Sequence, residues 1–401
     1  MRRWNEQRWL LDNVIQAVGP DWDAPRLPHL NGALGPESTA DINGVRQRVK
    51  KYADIEGAFV AVAHRREARA KASEEAEEFV TARENYYMAA NYWASAQWPI
   101  DESNKQNYFY NGRKRECFEK YAKYADHHVE AAWIPFQGKK LPGWFHLPAN
   151  YTGGCIPAVV FIPGMDGYKE RSVPLYGDPW LNRGVAVLVV EGPGQYETPL
   201  LGINVSMSAW SAAGPAIMEW LLQRSEIDPQ RIGITGRSFG SLFSTIAIAN
   251  EPRFRACAVT AVCLEPGCHT IFEEASPTFK KRFMWMSGYT DEAAFDEFAK
   301  LLTWEGYAEK IKQPFLTITG ESDELSPLGY TEQFAKRLQG PKQLVIYQDS
   351  RHTVSGVPSV NLGPTPNVLL CEWMVARLGG KAFPSERWFV NGSGQVDKTP
   401  L

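Results

Sequence analysis

Two patterns of hydrophobic spacing divide the chain near residue 127. On the N-terminal side, apolar positions recur every three or four residues: Phe79, Ala82, Tyr86, Ala90 and Trp93 fall on one helix face. The stretch "SEEAEEF" predicts the start of that helix, with a serine cap and acids opposing the helix dipole, and Pro99 predicts its end. Another helix is predicted from Asn104 to about Asp126. No strand-like alternation occurs here, so residues 1–126 are expected to form an all-helical N-terminal domain.

Beyond residue 127 the period changes. "VEAAWIPFQGKKLPGWFHLP" predicts two strands around a Gly-Lys-Lys turn. "IPAVVFIPG" and "RGVAVLVVEGPG" are unbroken β-branched runs that stop at glycine, the pattern of strands buried on both faces of a parallel sheet. A helix from about Ser211 to Arg224 follows, then strands in "RIGITG", "FRACAVTAVC", "PFLTITG" and "KQLVIYQD". Such alternation predicts a doubly wound, mostly parallel α/β sheet with right-handed crossovers over 127–401. Residues 265–312 break the rhythm with a helical pattern alone. Insertions after parallel strands overhang the site, so this helical insertion is expected to act as a lid.

Composition narrows the function. Hydrophobic content of 44% and charged content of 22% suit an ordinary soluble globular protein. A net charge of −3 supplies no attraction for nucleic acid or an anionic membrane. No apolar run reaches the roughly 20 residues of a membrane helix. "MRRWNEQRWLLDNV" has no signal-like apolar core, so a cytoplasmic location is expected. The six cysteines are scattered and read as buried thiols, with neither metal nor cofactor expected. Aromatic content of 12%, with 14 Trp, is the outlier and predicts large apolar surfaces packing together, with an aromatic-lined pocket as a further expectation.

The chemistry begins in "RIGITGRSFGS". Gly236-Arg237-Ser238-Phe239-Gly240 has the spacing of a nucleophile elbow, where a strand turns sharply into a helix and lifts the serine hydroxyl into a cleft. A serine needs a base, and the base needs an acid to orient it. Downstream, "TITGESDELSP" places Asp323 just past a strand, and "VIYQDSRHTVSG" places His352 after the last predicted strand. Glu321, Glu324 and Asp349 are rivals for the acid. The oxyanion donors are expected from the backbone amides of Phe239 and of Met165 in "FIPGMDGYKE", with Asp166 the neighbouring alternative. Lys169-Glu170 reads as a structural ion pair.

The set "PGMDGYKE", "VEGPGQYE", "DPQRIGITGRSFGS", "GESDELSP" and "DSRHT" resembles the α/β-hydrolase superfamily. More narrowly it resembles the branch of 2,6-dihydroxypseudooxynicotine hydrolases, fungal heptaketide pigment hydrolases and FrsA-like esterases, which carry a helical domain before the core. The resemblance covers nearly the whole chain. It implies Ser238 as nucleophile, Asp323 as acid and His352 as base, with no cofactor. It also implies an acidic residue in the insertion that assists C–C cleavage, at about Glu273 or Glu274.

The expected function is therefore serine hydrolysis of a small, aromatic acyl compound, leaning to C–C bonds in acyl-phenols or 1,3-diketones. A carboxylic ester hydrolase is the alternative; an amidase, a peptidase or a catalytically silent binding protein is a third. Glu265, His269, Glu273 and Glu274 cluster in the insertion. Glu274, just before a Ser-Pro helix stop, is expected to turn inward as the accessory acid, its pKa raised under an apolar lid. The Tyr86–Trp93 stripe is too apolar for water. It is expected to pack on the core, on a second copy in a homodimer, or over the pocket, with the helical domain closing the cleft above Ser238.

Overall fold

The computed structural model describes residues 2–401. Helices come first: α1 (Arg2–Val18), α2 (Arg26–Leu34), α3 (Thr39–Arg48), α4 (Asp54–Glu75), α5 (Phe79–Ala96) and α6 (Lys105–Tyr124). The Asn104 side chain caps α6 by accepting the Asn107 amide at 2.9 Å.

"SEEAEEF" does not open a helix, contrary to expectation. Ser73 to Glu75 complete α4, and the chain reverses through Glu77 at φ +58° before α5 begins. Tertiary ties override the local dipole preference here. The Glu74 carboxylate accepts the Tyr86 and Tyr124 hydroxyls at 2.5 and 2.6 Å and the Lys120 ammonium at 2.8 Å, joining three helices. The aromatic stripe is also answered locally. Tyr86 and Trp93 are buried between α4 and α6, with Trp93 stacked 5.5 Å from Tyr110 and its Nε1 donating to Glu67 at 2.9 Å. The stripe therefore needs neither a second subunit nor the cleft to cover it.

A hairpin follows, β1 (Val129–Phe136) and β2 (Lys139–His146). Its turn is Gln137-Gly138, at φ +47° and +77°, and the two lysines expected in the turn already belong to β2. Both central residues have positive φ, which matches the right-handed twist of the paired strands. The chain continues through β3 (Ile156–Ile162), β4 (Ala186–Val190), α7 (Met207–Leu222), β5 (Ile227–Ser238), α8 (Phe239–Asn250) and β6 (Ala256–Val262). The insertion holds α9 (Pro277–Ser287) and α10 (Glu292–Ala299) with short turns around them. Then come β7 (Phe315–Gly320), α11 (Leu328–Arg337), β8 (Lys342–Tyr347), α12 (Pro358–Leu362) and α13 (Pro366–Leu378).

Two C-terminal strands, β9 (Glu386–Val390) and β10 (Val396–Pro400), escaped the sequence pattern. They are short strands at one end of the sheet, with β10 the edge, and are half-buried or exposed apart from Val390, so they lack a continuous apolar run. The sheet runs β1-β2-β4-β3-β5-β6-β7-β8-β9-β10. Pairing is parallel from β4 across to β9 and antiparallel at β1, β2 and β10. Helices α7 and α8 cover one face and α13 the other, which buries β3 and β4 almost entirely. This is the α/β-hydrolase fold, with the C-terminal ends of the parallel strands turned towards the helical domain and the insertion. No helix among the described residues is long and apolar enough to cross a membrane.

Candidate active site

The elbow owes its shape to contacts that only glycine permits. A Cβ on Gly236 would stand 2.0 Å from the Gly240 carbonyl oxygen, and one on Gly240 would stand 2.2 Å from that of Ile162. Between them Ser238 adopts φ +55°, ψ −128°, a conformation that costs an L-residue about 1–3 kcal/mol. The surrounding packing imposes it: Phe239 is buried against Phe283 and Phe272 of the insertion, at ring separations of 4.6 and 6.0 Å.

Ser238 Oγ lies 3.0 Å from His352 Nε2, and His352 Nδ1 lies 3.1 and 3.0 Å from the two Asp323 oxygens. The Asp323 carboxylate can only accept, so Nδ1 donates and Nε2 is free to accept the serine proton. Burial pushes the His352 imidazole down, but the charge and hydrogen bond of Asp323 outweigh it and carry the pKa well above the usual histidine value. Asp323 Oδ1 also accepts the amides of Leu325 and Ser326, both at 2.9 Å, which fixes the carboxylate.

Two of the rival acids, Glu324 and Glu321, are occupied elsewhere. Glu324 accepts the backbone N–H of His352 at 2.9 Å, and Glu321 accepts that of Asp349 at 3.1 Å, so both brace the histidine loop.

Opposite the serine, the turn after β3 comes so close that a Cβ on Gly164 would stand 2.9 Å from Ser238 Cβ. Gln195, from "VEGPGQYE", donates to the Pro163 carbonyl and holds this turn in place. The Met165 amide has no acceptor among the turns and loops of the described residues, Phe239 opens α8 where the first amides lack an intrahelical partner, and both residues line the cavity over Ser238. The Asp166 carboxylate pairs with Arg26 at 2.7 Å and faces Arg282 at 3.9 Å, which anchors the turn that carries the Met165 and Asp166 amides. Lys169 and Glu170 pair at 3.0 Å, as part of a larger buried network with Lys114, Glu191 and Glu197.

The cavity measures about 530 Å³ and has aromatic walls, with Phe161, Tyr168, Trp180, Phe239 and Phe279 among them. Its outer wall is α2 and the residues before it, Ala24 to Ala33, together with Ile271 and Phe279 of the insertion. The helical domain thus reaches the site through α2, while α1 lies over the insertion: Arg3 donates to the Phe272 and Ala275 carbonyls at 2.5 and 2.6 Å.

Glu274 is corrected. Residues Thr270–Glu274 form a single π-turn in which Ile271 and Phe272 take the inner side, and this turns Glu273 and Glu274 outward. The Glu274 side chain is 65% exposed, 3.6 Å from an equally exposed His269. Two further residues meet the elbow, one at the serine and one at Arg237. Cys263, one residue past β6, has its Sγ 3.5 Å from Ser238 Oγ. His29 of α2 has its Nε2 3.4 Å from Arg237 Nη2. Position at a strand's C-terminal end was the available signal for Cys263; His29 carried none. No group of three or more His, Cys, Asp or Glu side chains arranged to hold a metal occurs among the described residues.

Comparison with known proteins agrees with this architecture. The chain is 30% identical to the alpha/beta hydrolase ucsC of Acremonium sp over 251 residues, 57% of this chain and 49% of that one. It is 25% identical to the 2,6-dihydropseudooxynicotine hydrolase of Paenarthrobacter nicotinovorans over 70% of this chain and 74% of the other. The chain spans about half the length of most curated relatives it matches. Its fold superposes on the crystal structure of 2,6-dihydroxy-pseudo-oxynicotine hydrolase with a TM-score of 0.74 at 23% identity, covering 90% of this chain and 97% of the other. The prolyl oligopeptidase family model matches residues 215–375, within the sheet domain. The FrsA-like esterase model matches residues 53–291, running from the helical domain through the elbow into the insertion. By that match, over more than half its length, the chain belongs to the FrsA-like esterase family of α/β hydrolases.

Proposed function

We propose that the protein is a cofactor-independent serine hydrolase that cleaves a small acyl compound through an acyl-enzyme. The carrying observation is the hydrogen-bonded line Asp323–His352–Ser238, ending in an aromatic-walled cavity. Ser238 attacks the carbonyl while His352 Nε2 takes its proton. The oxyanion that forms is met by the Met165 and Phe239 amides, the latter at the start of α8 where the helix dipole favours negative charge. His352 then gives its proton to the leaving group, and water enters by the same path.

An ester needs nothing further. Acyl–carbon cleavage, towards which the family resemblance leans, needs a proton on carbon. With Glu274 facing solvent, His352 is the group that supplies it. At about 530 Å³ the cavity is too small for a folded polypeptide, and α2 of the helical domain forms its outer wall. A small molecule is therefore the substrate class favoured here.

The test is labelling by a fluorophosphonate probe, followed by turnover of aryl esters and 1,3-diketones side by side. Labelling of the wild type and not of Ser238→Ala is expected. Turnover without labelling, or labelling that persists in Ser238→Ala, would refute the assignment.

A further inference from the structure

Two guanidinium groups face the cavity without a counter-charge. Arg237 sits inside the elbow, adjacent to the nucleophile, and Arg171 lies in the short turn after the oxyanion loop; both are half-buried and line the same cavity as Ser238. Among the described residues neither has a carboxylate partner. Arg237 touches only His29 Nε2, at 3.4 Å, and Arg171 lies 4.9 Å over the ring of Tyr168. The cavity has two acids, and both are engaged. Asp166 answers Arg26, and the Asp178 Oδ1 accepts the Trp180 and Leu181 amides at 2.8 and 2.9 Å.

His29, beside Arg237, adds no positive charge to the site. Burial first, then the charges of Arg237, Arg171 and Arg26, push the His29 imidazole down to about 3. A guanidinium only donates, so His29 Nε2 accepts from Arg237 and the ring proton sits on Nδ1. His29 thus orients Arg237 as a neutral acceptor and does not compete for an anion. Burial and the nearby Arg171 charge lower Arg237 to about 10, so it stays cationic at neutral pH.

A cation held away from bulk water without a partner is costly, and a concave site lined by one sign of charge concentrates the opposite sign. We infer that Arg237 and Arg171 form an anion subsite, and that the substrate of this hydrolase carries a carboxylate only a few bonds from the scissile carbonyl. This rests on the serine-hydrolase reading above and deepens it. The planar fork of a guanidinium matches a carboxylate, and here two forks sit in one cavity. The acidic group would be read beside the serine, while the aromatic walls take the rest of the molecule.

The experiment compares a neutral p-nitrophenyl ester, the valerate, with the acidic hemiester of the same five-carbon chain, mono-p-nitrophenyl glutarate. The wild type should prefer the hemiester in kcat/KM by about tenfold to a hundredfold, the value of one or two charge-assisted hydrogen bonds. Arg237→Met and Arg171→Met should each cut that acid-to-neutral ratio at least severalfold, and added salt should lower it in the wild type. Stoichiometric fluorophosphonate labelling of each variant shows that its elbow is folded. Free glutarate supplies a readout independent of turnover: it should raise the melting temperature of the wild type and not of Arg237→Met.

No preference in the wild type, or a preference that survives both substitutions, overturns the subsite. If neither ester turns over and the probe does not react, the hydrolase reading fails by itself. The glutarate shift then still decides whether the anion site exists.

Discussion

Arg26, at the start of α2, lies 2.7 Å from Asp166 in the loop that carries the Met165 amide. Arg26 also pairs with Asp23 and lies 4.1 Å over the ring of Trp98. Arg282 of α9 faces the other Asp166 oxygen, so the helical domain, the insertion and the oxyanion turn meet at one carboxylate. Arg26→Met would leave Asp23 without its cation and Asp166 with only the more distant Arg282. Removing one partner of a buried pair costs about 3 kcal/mol or more, so a clear fall in melting temperature is expected, with a raised KM for acyl substrates. Wild-type stability and kinetics in this variant would separate the helical domain from the site.

Substitutions along Asp323–His352–Ser238 should not be equal. Ser238→Ala and His352→Ala should each lower kcat by about ten-thousandfold or more, because the pair acts as a unit. Asp323→Asn keeps an oxygen able to accept the Leu325 and Ser326 amides, so the loop survives. It loses the charge that selects the histidine tautomer, and about a thousandfold in kcat is expected to go with it. Steady-state kinetics on one ester, with circular dichroism as the folding control, checks the order. If Glu321→Gln proved as damaging as Asp323→Asn, the acid would be misassigned.

The acid limb of the pH–rate profile should lie high. His352 must be neutral to accept the serine proton, and Asp323 holds its pKa well above the usual histidine value despite burial. Activity is therefore lost as pH falls through that raised value. Asp323→Asn removes the stabilising charge, so the surviving activity should show its acid limb at lower pH. A kcat/KM profile for both proteins reads this directly, and an unmoved or raised limb would rule out Asp323 as the partner.

The core strands were legible because burial on both faces demands continuous apolar runs, as in "AVLVV" of β4. The elbow, Asp323 and His352 were legible because each sits at a strand end in a fixed order. What failed depended on distant parts of the chain. The acids of "SEEAEEF" read as a helix start until the Tyr86 and Tyr124 hydroxyls claim Glu74. His29 precedes Arg237 by 208 positions, and nothing local marks it as a neighbour of the elbow. Glu274 was placed inward from a Ser-Pro stop alone, and one π-turn was enough to reverse the face.

The buried network between α6 and the oxyanion loop predicts acid sensitivity. Lys114, fully buried on α6, faces Glu170 at 3.5 Å and Glu197 at 3.6 Å, and Lys169 lies 2.6 Å from Glu197. Burial pushes Glu197 up, but the Lys169 and Lys114 charges outweigh it and hold the carboxyl at about 2. A depressed carboxyl stabilises the fold above its ordinary value, and that stability is lost as pH falls towards about 2. Lys114→Met removes one of the holding charges, so acid unfolding should begin at higher pH and neutral stability should drop by about 3 kcal/mol. Circular dichroism followed against pH and urea tests both. An unchanged acid midpoint would mean that Lys169 and Arg115, the latter 3.5 Å from Glu197, suffice without Lys114.

Glu274→Gln is expected to do nothing to catalysis. Its carboxylate is exposed on the outer side of the π-turn, and its one ion-pairing neighbour is the equally exposed His269 imidazole. Surface changes of this kind usually stay within about 0.5 kcal/mol of wild type in stability. Since His352 is the proton donor left for a carbon leaving group, the variant should cleave an aryl ester and a 1,3-diketone with wild-type kcat/KM. A loss confined to the diketone would show that the turn rearranges to bring Glu274 inward when substrate binds. An equal loss on both substrates would instead mean that the π-turn needs Glu274 to keep Ile271 and Phe272 against the elbow helix.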